Sequence, residues 1–422
     1  MESTSRCSTA RAAVACTALA FGGLLLAGGP AAAASKPPIN VGVVSSFSTI
    51  DGAGVLNGAE MAVDAINASG GIDGRQIKLF KYDEHASTTE GVRAFQRAVN
   101  EDHVVALIGT WISEVSLAME PWSGRLKTPF IVTGAASTDI TKHVRDDYKD
   151  YKYTFHMWLN STFLADSVCD SSRDLLVKGL GFKTAVIAAE DAAWTTPLQA
   201  EYQKCLPAAG LKVLDAIRFS PDTTDFTPIF DKIESEHPNV IITGMGHVGL
   251  KPTVQWHDQQ VPILMAGVSA QASASTFWQR TNGATEGVIT ETAAGPGVAL
   301  TPKTVAFTDA YTKRFNTTPA YAAYTTNDSF HLLKAAIERA KSTNADKLVA
   351  ALEKTNYVGT VGRIQFYPPG AKYAHGLKYG KQYVTGIMIQ WQDGKQLPVW
   401  PASVAKAKII FPSFVKKPAA SN

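Results

Sequence analysis

The stretch of residues 39–109 constrains the fold of this chain more than any other part of the sequence. It begins with an apolar strand, and the apolar residues that follow recur at helical spacing, at Val55, Ala59, Ala62 and Ile66. Three glycines between residues 70 and 74 break this helix, and residues 76–82 alternate as a strand does. A second unit then ends in a small-residue turn at Gly109. Two consecutive strand–helix units predict half of a parallel sheet.

The alternation of strand and helix continues far along the chain. Further predicted strands of the first set lie at 104–108, 130–133 and 151–157. A second set follows, with strands at 184–189, 211–217, 240–243, 263–266, 287–290 and 383–391. Three segments are predicted to cross between the sets, at 159–161, at 291–297 and near 357–366, and helices at 302–315 and 328–341 return to the first set. The pattern predicts an α/β protein with two doubly wound parallel-sheet lobes.

Five short segments carry a family resemblance: Gly58-Ala59, Ile66-Asn67, Gly70-Gly71-Ile72-Asp73-Gly74-Arg75, Tyr82-Asp83 and Ile108-Gly109. In this order and spacing they resemble the periplasmic solute-binding proteins of ABC transporters, of the leucine/isoleucine/valine-binding type. The resemblance extends to about Pro401. It implies the type I periplasmic binding protein fold, a small-molecule ligand, permease subunits of an ABC transporter as partners, and no enzymatic activity.

The N-terminal segment has the features of an export signal. Arg6 and Arg11 precede an apolar run over 12–27, and Ala32-Ala33-Ala34 gives a cleavage site before Ser35. The run is shorter than the roughly 20 residues that a membrane-spanning helix needs. We therefore expect a cleavable signal peptide over 1–34 and a periplasmic location; a lipid anchor at Cys16 is the alternative.

These boundaries complete the expected domain organisation. The first lobe takes residues 35–157 and 291–357, and the second lobe takes 158–290 and 358–411. Residues 412–422 form a C-terminal tail. Since parallel α/β sheets bind ligands at the carboxyl ends of their strands, we expect the ligand in a cleft between the lobes.

Composition and charge exclude some functional classes. The net charge of +3 is too small to indicate nucleic acid or an anionic membrane as a partner. No spacing of histidines or cysteines indicates a metal, no cofactor is expected, and we expect a monomer. Cys169 and Cys205 are the only cysteines outside the predicted signal peptide, so they are expected to form a disulfide; two buried free thiols are the alternative.

Candidate ligand-binding residues follow two strands of the first lobe. Ser113 comes shortly after the strand at 104–108, where its hydroxyl either caps a helix or holds a ligand carboxylate beside free N–H groups. The turn that begins at Gly134 contains Ala135 and Ala136. In the family that this chain resembles, a serine at this place and the backbone of such a turn hold the ligand carboxylate. The resemblance implies that role for these three residues.

Aromatic residues recur at the expected strand ends. Trp194 stands where the family commonly has a tyrosine that closes over the ligand, and Trp111 lies two residues before Ser113. Phe47 follows the first strand, and Trp158 lies at the first crossing. Each is also acceptable as a core aromatic, but four of them at one predicted cleft indicate a ligand site. His247, near the position of another family aromatic, is a candidate hydrogen-bond partner for the ligand; a solvated loop histidine is the alternative.

A departure from the family bears on the ligand. Amino-acid binders of this type place an acid after the strand at 263–266, but this chain has Gly267-Val268-Ser269-Ala270 there. A buried ammonium group without a paired carboxylate is costly, so the sequence favours a carboxylate with an apolar or aromatic body. An α-amino acid remains the alternative if Glu190, Asp191 or Asp51 supplies the acid. A ligand sensor with the same cleft is a further alternative.

An exported dinucleotide-dependent enzyme is the rival class. Residues 244–249 read Gly-Met-Gly-His-Val-Gly, which matches the glycine pattern of dinucleotide-binding loops. The glycines are not in the first unit of the sheet, and no acid ends the next strand to bind a ribose. No nucleophile elbow indicates a hydrolase. The sequence therefore favours a solute-binding protein.

Overall fold

A computed structural model describes residues 36–417 of the chain. The expected signal peptide lies outside these residues. The first sheet is wholly parallel, with strand order β2-β1-β3-β4-β5. Its strands are β1 (Ile39–Ser45), β2 (Ile77–Asp83), β3 (Leu107–Gly109), β4 (Phe130–Val132) and β5 (Thr154–His156). The first lobe is defined here as this sheet with the helices packed on it.

Five helices connect or follow these strands: α1 (Ile50–Ala68), α2 (Thr88–Asn100), α3 (Ser113–Arg125), α4 (Asp139–Asp146) and α5 (Tyr148–Tyr151). The α1 helix begins where Thr49 Oγ1 accepts a hydrogen bond from the Gly52 N–H at 3.0 Å, which satisfies a free donor of the first turn. Its apolar residues at the predicted spacing are buried in the core. Burial of these residues stabilises the helix against the sheet.

The second sheet is mixed, with strand order β14-β13-β10-β9-β8-β6-β7. Its parallel strands are β6 (Thr184–Glu190), β7 (Lys212–Phe219), β8 (Val240–Met245), β9 (Leu264–Ser269) and β10 (Ile289–Thr292). Strands β13 (Ile387–Gln392) and β14 (Lys395–Trp400) extend it as an antiparallel hairpin beside β10. The second lobe is defined as this sheet with its helices, and the hairpin is a departure from the parallel sheet that the sequence predicts.

Further helical segments lie between and around these strands: α6 (Ser161–Ser171), a π-helix (Ser172–Gly179), α7 (Thr195–Ala209), α8 (Thr227–Ser235), α9 (Leu250–Asp258), a 3₁₀-helix (Ala270–Ser273) and α10 (Ser275–Arg280). Three more helices follow β10: α11 (Thr304–Phe315), α12 (Tyr321–Ala340) and α13 (Ala345–Leu352). The α12 helix returns to the first lobe and packs on α1, as predicted. The two backbones approach so closely that a Cβ on Gly58 would lie 2.4 Å from the Ala323 carbonyl oxygen, which explains the glycine.

The α12 helix begins seven residues earlier than the predicted start at 328. Tertiary contacts account for the difference, because the β-branched and aromatic residues of the first turns are poor helix formers in isolation. Tyr321 donates a hydrogen bond from its hydroxyl to the Gly134 carbonyl at 2.9 Å, and Thr325 donates to the Thr133 carbonyl at 2.6 Å. The start of α12 is therefore anchored on the turn after β4.

The segment after α13 keeps contact with the first lobe beyond the predicted third crossing. The small antiparallel pair β11 (Tyr357–Val358) and β12 (Arg363–Ile364) packs near α12, where Asp328 accepts hydrogen bonds from the N–H and hydroxyl of Thr360. The backbone then pairs with β5, since the Leu377 N–H donates to the His156 carbonyl at 3.1 Å. The chain joins the second sheet only at β13. Contacts with the first lobe therefore continue beyond residue 357. The lobe boundary at 357 remains a prediction.

A disulfide joins Cys169 of α6 to Cys205 of α7, as predicted, with 5.9 Å between their Cα atoms. In the expected tail, the Phe414 ring packs edge-on against Trp256 at a centroid distance of 4.9 Å. Phe414 of the expected tail therefore packs on the second lobe. Within residues 36–417 no helix combines the length and hydropathy that crossing a bilayer requires.

Candidate functional site

A small cavity, with about 30 Å³ of space open to water, lies between the carboxyl ends of the two sheets. This is the place where open α/β sheets bind ligands. Its lining residues come from both lobes: Trp111, Gly134, Ala136, Trp158, Leu164, Trp194, Gly246, His247, Val268, Ala270, Glu291 and Tyr321.

Three aromatic residues of the wall, Trp111, Trp194 and Tyr321, have their polar atoms hydrogen-bonded within the protein. The indole N–H of Trp111 donates to Ser46 Oγ at 3.1 Å and lies 3.2 Å from Thr49 Oγ1. The hydroxyl of Tyr321 donates to the Gly134 carbonyl, and the Trp158 ring packs on the Tyr321 ring at a centroid distance of 5.0 Å. Hydrogen bonds therefore orient Trp111 and Tyr321, and packing on Tyr321 orients Trp158.

The buried carboxylate of Glu190, at the end of β6, organises one side of the cavity. Its Oε2 accepts backbone N–H groups of Gly246 and His247, each at 2.9 Å, and of Val248 at 3.3 Å. Its Oε1 accepts the indole N–H of Trp194 at 3.0 Å and lies 2.6 Å from His247 Nδ1. One side chain therefore holds two cavity residues and the loop after β8.

The same contacts bear on the dinucleotide-binding alternative. Residues 246–248 belong to the glycine-containing loop that matches the dinucleotide pattern, and consecutive N–H groups of such a loop form an anion site. Here that anion is the carboxylate of Glu190. The protein's own side chain thus fills the position that a phosphate would need.

Ser113 is the first residue of α3 and does not cap it, since the helix begins without a side-chain cap. Its Oγ accepts the backbone N–H groups of Ala136 and Ser137, each at 3.2 Å. Ala135 is buried, and its carbonyl accepts from Nε2 of His156 at 2.5 Å. The hydroxyl and two amides thus form a compact group of hydrogen-bonding atoms immediately behind the cavity wall at Ala136.

The structure brings most of the predicted site residues together. Trp111, Trp158, Trp194, Ala136 and His247 line the cavity, whereas Ser113 and Ala135 lie directly behind it. Phe47 packs against the core beside this region and does not contribute to the wall.

Two polar residues of the wall, Tyr321 and Glu291, are not among the candidates that the sequence predicts. Tyr321 lies at the start of α12, which the sequence places at 328, so its segment was not a candidate. Glu291 is the third residue of β10, where the sequence predicts the start of a crossing. The signal that could have identified Glu291 is its position directly after a buried parallel strand, where the other candidates were sought.

The acids proposed to replace the missing family acid have different surroundings. Glu190 is already bonded as described, and Asp191 is an exposed residue paired with Arg218. Asp51 is fully buried outside the wall, and among the described residues neither of its oxygens has a hydrogen-bond partner. Burial raises the pKa of Asp51 to about 7, against the opposing charge of His247. Glu291 is the acid that reaches the cavity.

Contacts between the lobes surround the cavity. The Glu114 carboxylate of α3 accepts the Ala193 N–H at 2.6 Å, and the Trp111 and His247 rings lie 5.3 Å apart. Ser161, at the first crossing, donates to the Trp194 carbonyl at 2.6 Å. The lobes are closed over the cavity, as in a two-lobed protein that encloses a small molecule.

The fold and the enclosed interlobe cavity define the class of an α/β binding protein that closes on a small solute. The family model described as periplasmic binding protein matches residues 38–380, and the chain belongs to that family. It is therefore a solute-binding protein rather than an enzyme, and it works outside the cytoplasm.

Curated relatives and solved structures agree with this assignment. The Leu/Ile/Val-binding protein homolog 8 of Brucella melitensis is 24% identical over 376 residues, which cover 84% of this chain and 87% of the relative. The branched-chain amino acid binding protein LivJ of Streptococcus pneumoniae, solved with isoleucine, superimposes with a TM-score of 0.74 at 22% identity over 85% of this chain and 97% of LivJ. A Rhodopseudomonas palustris solute-binding protein solved with benzoate gives 0.73 at 17% identity, over 90% and 99% of the two chains. The type I periplasmic binding protein fold predicted from the sequence is confirmed.

Proposed function

We propose that this protein captures a small organic carboxylate with an apolar or aromatic body and delivers it from the periplasm to the permease of an ABC importer, acting as a monomer. The observation that carries the proposal is the enclosed cavity, whose walls include three tryptophans and a tyrosine. Apolar walls with few polar groups are typical of sites for small organic ligands.

Closure of the two lobes on the ligand is the mechanism by which ligand binding is signalled to the permease. Trp111 and Ala136 belong to the first lobe, and Trp194 and His247 to the second, so one ligand contacts both. Since only contacts that differ between open and closed forms shift their equilibrium, a ligand in this cavity favours the closed form. The closed form is then the one presented to the permease.

The neighbouring structures suggest two ligand types within this proposal. One neighbour was solved with isoleucine and another with benzoate. The aromatic walls favour a benzoate-like acid, whereas the carboxyl of Glu291 in the wall favours an amino acid.

A thermal-shift screen tests the proposed function. Branched-chain and aromatic amino acids, benzoate, 4-hydroxybenzoate and phenylpropanoid acids are each added to the mature protein. A true ligand at 100 times its Kd adds about 2.7 kcal/mol to the free energy of unfolding, which raises the melting temperature measurably. No change with any small carboxylate would contradict the proposal.

Ser113→Ala tests the expected seat of the carboxylate. We propose that the Ser113 hydroxyl and the backbone at Ala135 and Ala136 hold the carboxylate, so the variant should weaken binding by about 1–3 kcal/mol. Ser116→Ala is the matched control, since this buried serine of the same helix bonds only to the Ile112 carbonyl. Calorimetry with the ligand found in the screen measures both; equal affinities for Ser113→Ala and Ser116→Ala would rule out this seat.

A further inference from the structure

Glu291 is a buried acid in the cavity wall, 4% exposed, at the end of β10. No described residue forms a hydrogen bond with its Oε1. A Cβ built on Gly386 would lie 2.0 Å from this oxygen, and Gly386 has a φ of 71°, so the neighbouring backbone packs directly on the carboxyl group. Its position is therefore fixed by packing, while its charge lacks a partner within the described protein.

The electrostatic surroundings do not favour an anion at this end of the cavity. No lysine or arginine belongs to the described wall. His247 is the basic residue there, and it is paired with Glu190. Burial raises the pKa of Tyr321, and the acids Asp51, Glu291 and Glu190 raise it further.

The aromatic walls add a second attraction for a cation. Trp111, Trp158, Trp194 and Tyr321 surround the cavity, and their polar atoms or packing fix them in place. The face of an aromatic ring attracts a cation, most strongly for tryptophan, and quaternary ammonium groups are bound in such aromatic cages. A cation in this cavity would meet aromatic rings and the Glu291 carboxylate together.

The backbone carbonyls near the cavity already accept hydrogen bonds, whereas Glu291 Oε1 has no partner among the described residues. The carbonyls of Gly134, Ala136 and Gly246 already accept from Tyr321, Ser161 and Gln271 respectively. A primary ammonium brings three N–H donors, each of which requires an acceptor once it leaves water. A fully alkylated ammonium brings none, and its methyl groups suit the apolar walls. The wall therefore favours the alkylated form.

We propose that the ligand is a betaine: a carboxylate that also carries a fully alkylated ammonium group, which binds between the Glu291 carboxylate and the tryptophan faces. This inference rests on the proposed function, because it places the ligand in the same cavity. The sequence disfavours an ammonium group because an acid is missing after β9; in this proposal Glu291 of β10 supplies the acid instead.

Proton exchange follows from the surroundings of Glu291. Burial raises the pKa of Glu291 well above its ordinary value, which favours the neutral form of the carboxyl group when it faces no cation. A bound quaternary ammonium favours the carboxylate, and the proton passes to the buffer. We expect betaine binding to release a proton from Glu291. A carboxylate ligand without an ammonium group should release none from this residue.

Pairs of ligands that differ only by nitrogen and carbon test the inference. Glycine betaine is compared with 3,3-dimethylbutanoate, 4-(trimethylammonio)butanoate with 5,5-dimethylhexanoate, and trigonelline with 3-methylbenzoate; isoleucine and benzoate are also included. Calorimetry in buffers of different ionisation enthalpy gives affinity and proton release together. We expect at least one betaine to bind about 100-fold more tightly than its carbon analogue, and to release a proton.

A variant adds an independent readout. Glu291→Gln keeps the size of the side chain but cannot become an anion, so it should weaken betaine binding about 100-fold and abolish the proton release. Glu236→Gln, an exposed residue of the same lobe, is the control and should change neither.

The outcomes separate this inference from the proposed function. Tight binding of carbon analogues, benzoate or isoleucine without betaine binding overturns the inference and leaves the proposed function standing. Betaine binding that Glu291→Gln leaves unchanged overturns the role of Glu291. If no compound in the series or in the thermal-shift screen binds, both proposals are wrong. The proton measurement uses the unaltered protein, so it stands even if the variant does not fold.

Discussion

Replacing Glu190 with alanine is expected to lower the free energy of unfolding by about 3–5 kcal/mol, as for other buried, hydrogen-bonded charges that lose their partner. The variant leaves the N–H groups of Gly246, His247 and Val248 and the indole of Trp194 without their common acceptor. Ligand affinity should fall as well, because Trp194 and His247 both line the cavity. Urea denaturation and calorimetry measure the two effects.

The adjacent residue provides the control. The Asp191 side chain is exposed and pairs with Arg218, so Asp191→Ala should cost less than about 1 kcal/mol. If Glu190→Ala costs no more than Asp191→Ala, the loop after β8 is not held by Glu190.

The Glu190 effect should also depend on pH. Burial lowers the pKa of His247, but the hydrogen bond and charge of Glu190 raise it, with a net increase above the ordinary value of 6.5. A raised pKa contributes stability that is fully present below the unfolded value and is lost as pH rises through the folded value. The loss caused by Glu190→Ala should therefore be larger at about pH 5.5 than at about pH 9.

Removing the disulfide with Cys169→Ala and Cys205→Ala together is expected to lower the free energy of unfolding by about 4 kcal/mol. The estimate follows from the entropy of the unfolded chain, given a sequence separation of 36 residues. Neither cysteine lines the cavity, so ligand affinity should stay nearly unchanged.

Reduction provides an internal control for this experiment. Dithiothreitol should lower the melting temperature of the wild-type protein but not that of the double alanine variant. The detection of two alkylatable thiols in denatured, unreduced protein would show that the bond does not form.

The sequence predicts the parallel strands well because their apolar runs are short and bounded by turns. Strands β1, β2 and β6 match their expected positions to within about a residue. The antiparallel hairpin of β13 and β14 is harder to predict from the sequence. The direction of a strand depends on distant partners rather than on the local pattern. The start of α12 was missed for a similar reason: its first turns are stabilised by bonds to the turn after β4.

In the candidate site, too, some residues could be predicted from local sequence, and others depend on distant contacts. Residues directly after strands, such as Trp111 and Trp194, could be located from the order of elements. The role of Glu190 could not, because its partners are backbone groups 56 to 58 residues away along the chain. Glu291 lies in β10, one residue beyond the predicted strand, and Tyr321 lies in the first turn of α12, which depends on distant hydrogen bonds.

The closed arrangement of the lobes has a kinetic consequence. Because the wall combines Trp111 of one lobe with Trp194 of the other, an enclosed molecule can leave only after the lobes part. Its residence time is then governed by the rate of opening, to which the Glu114–Ala193 hydrogen bond contributes from outside the wall. The residues of the wall therefore determine which solute binds. The interlobe contacts around the wall determine the residence time of that solute. A permease that separates the lobes would shorten the residence time of the bound solute. It would not need to compete for the contacts between the solute and the cavity wall.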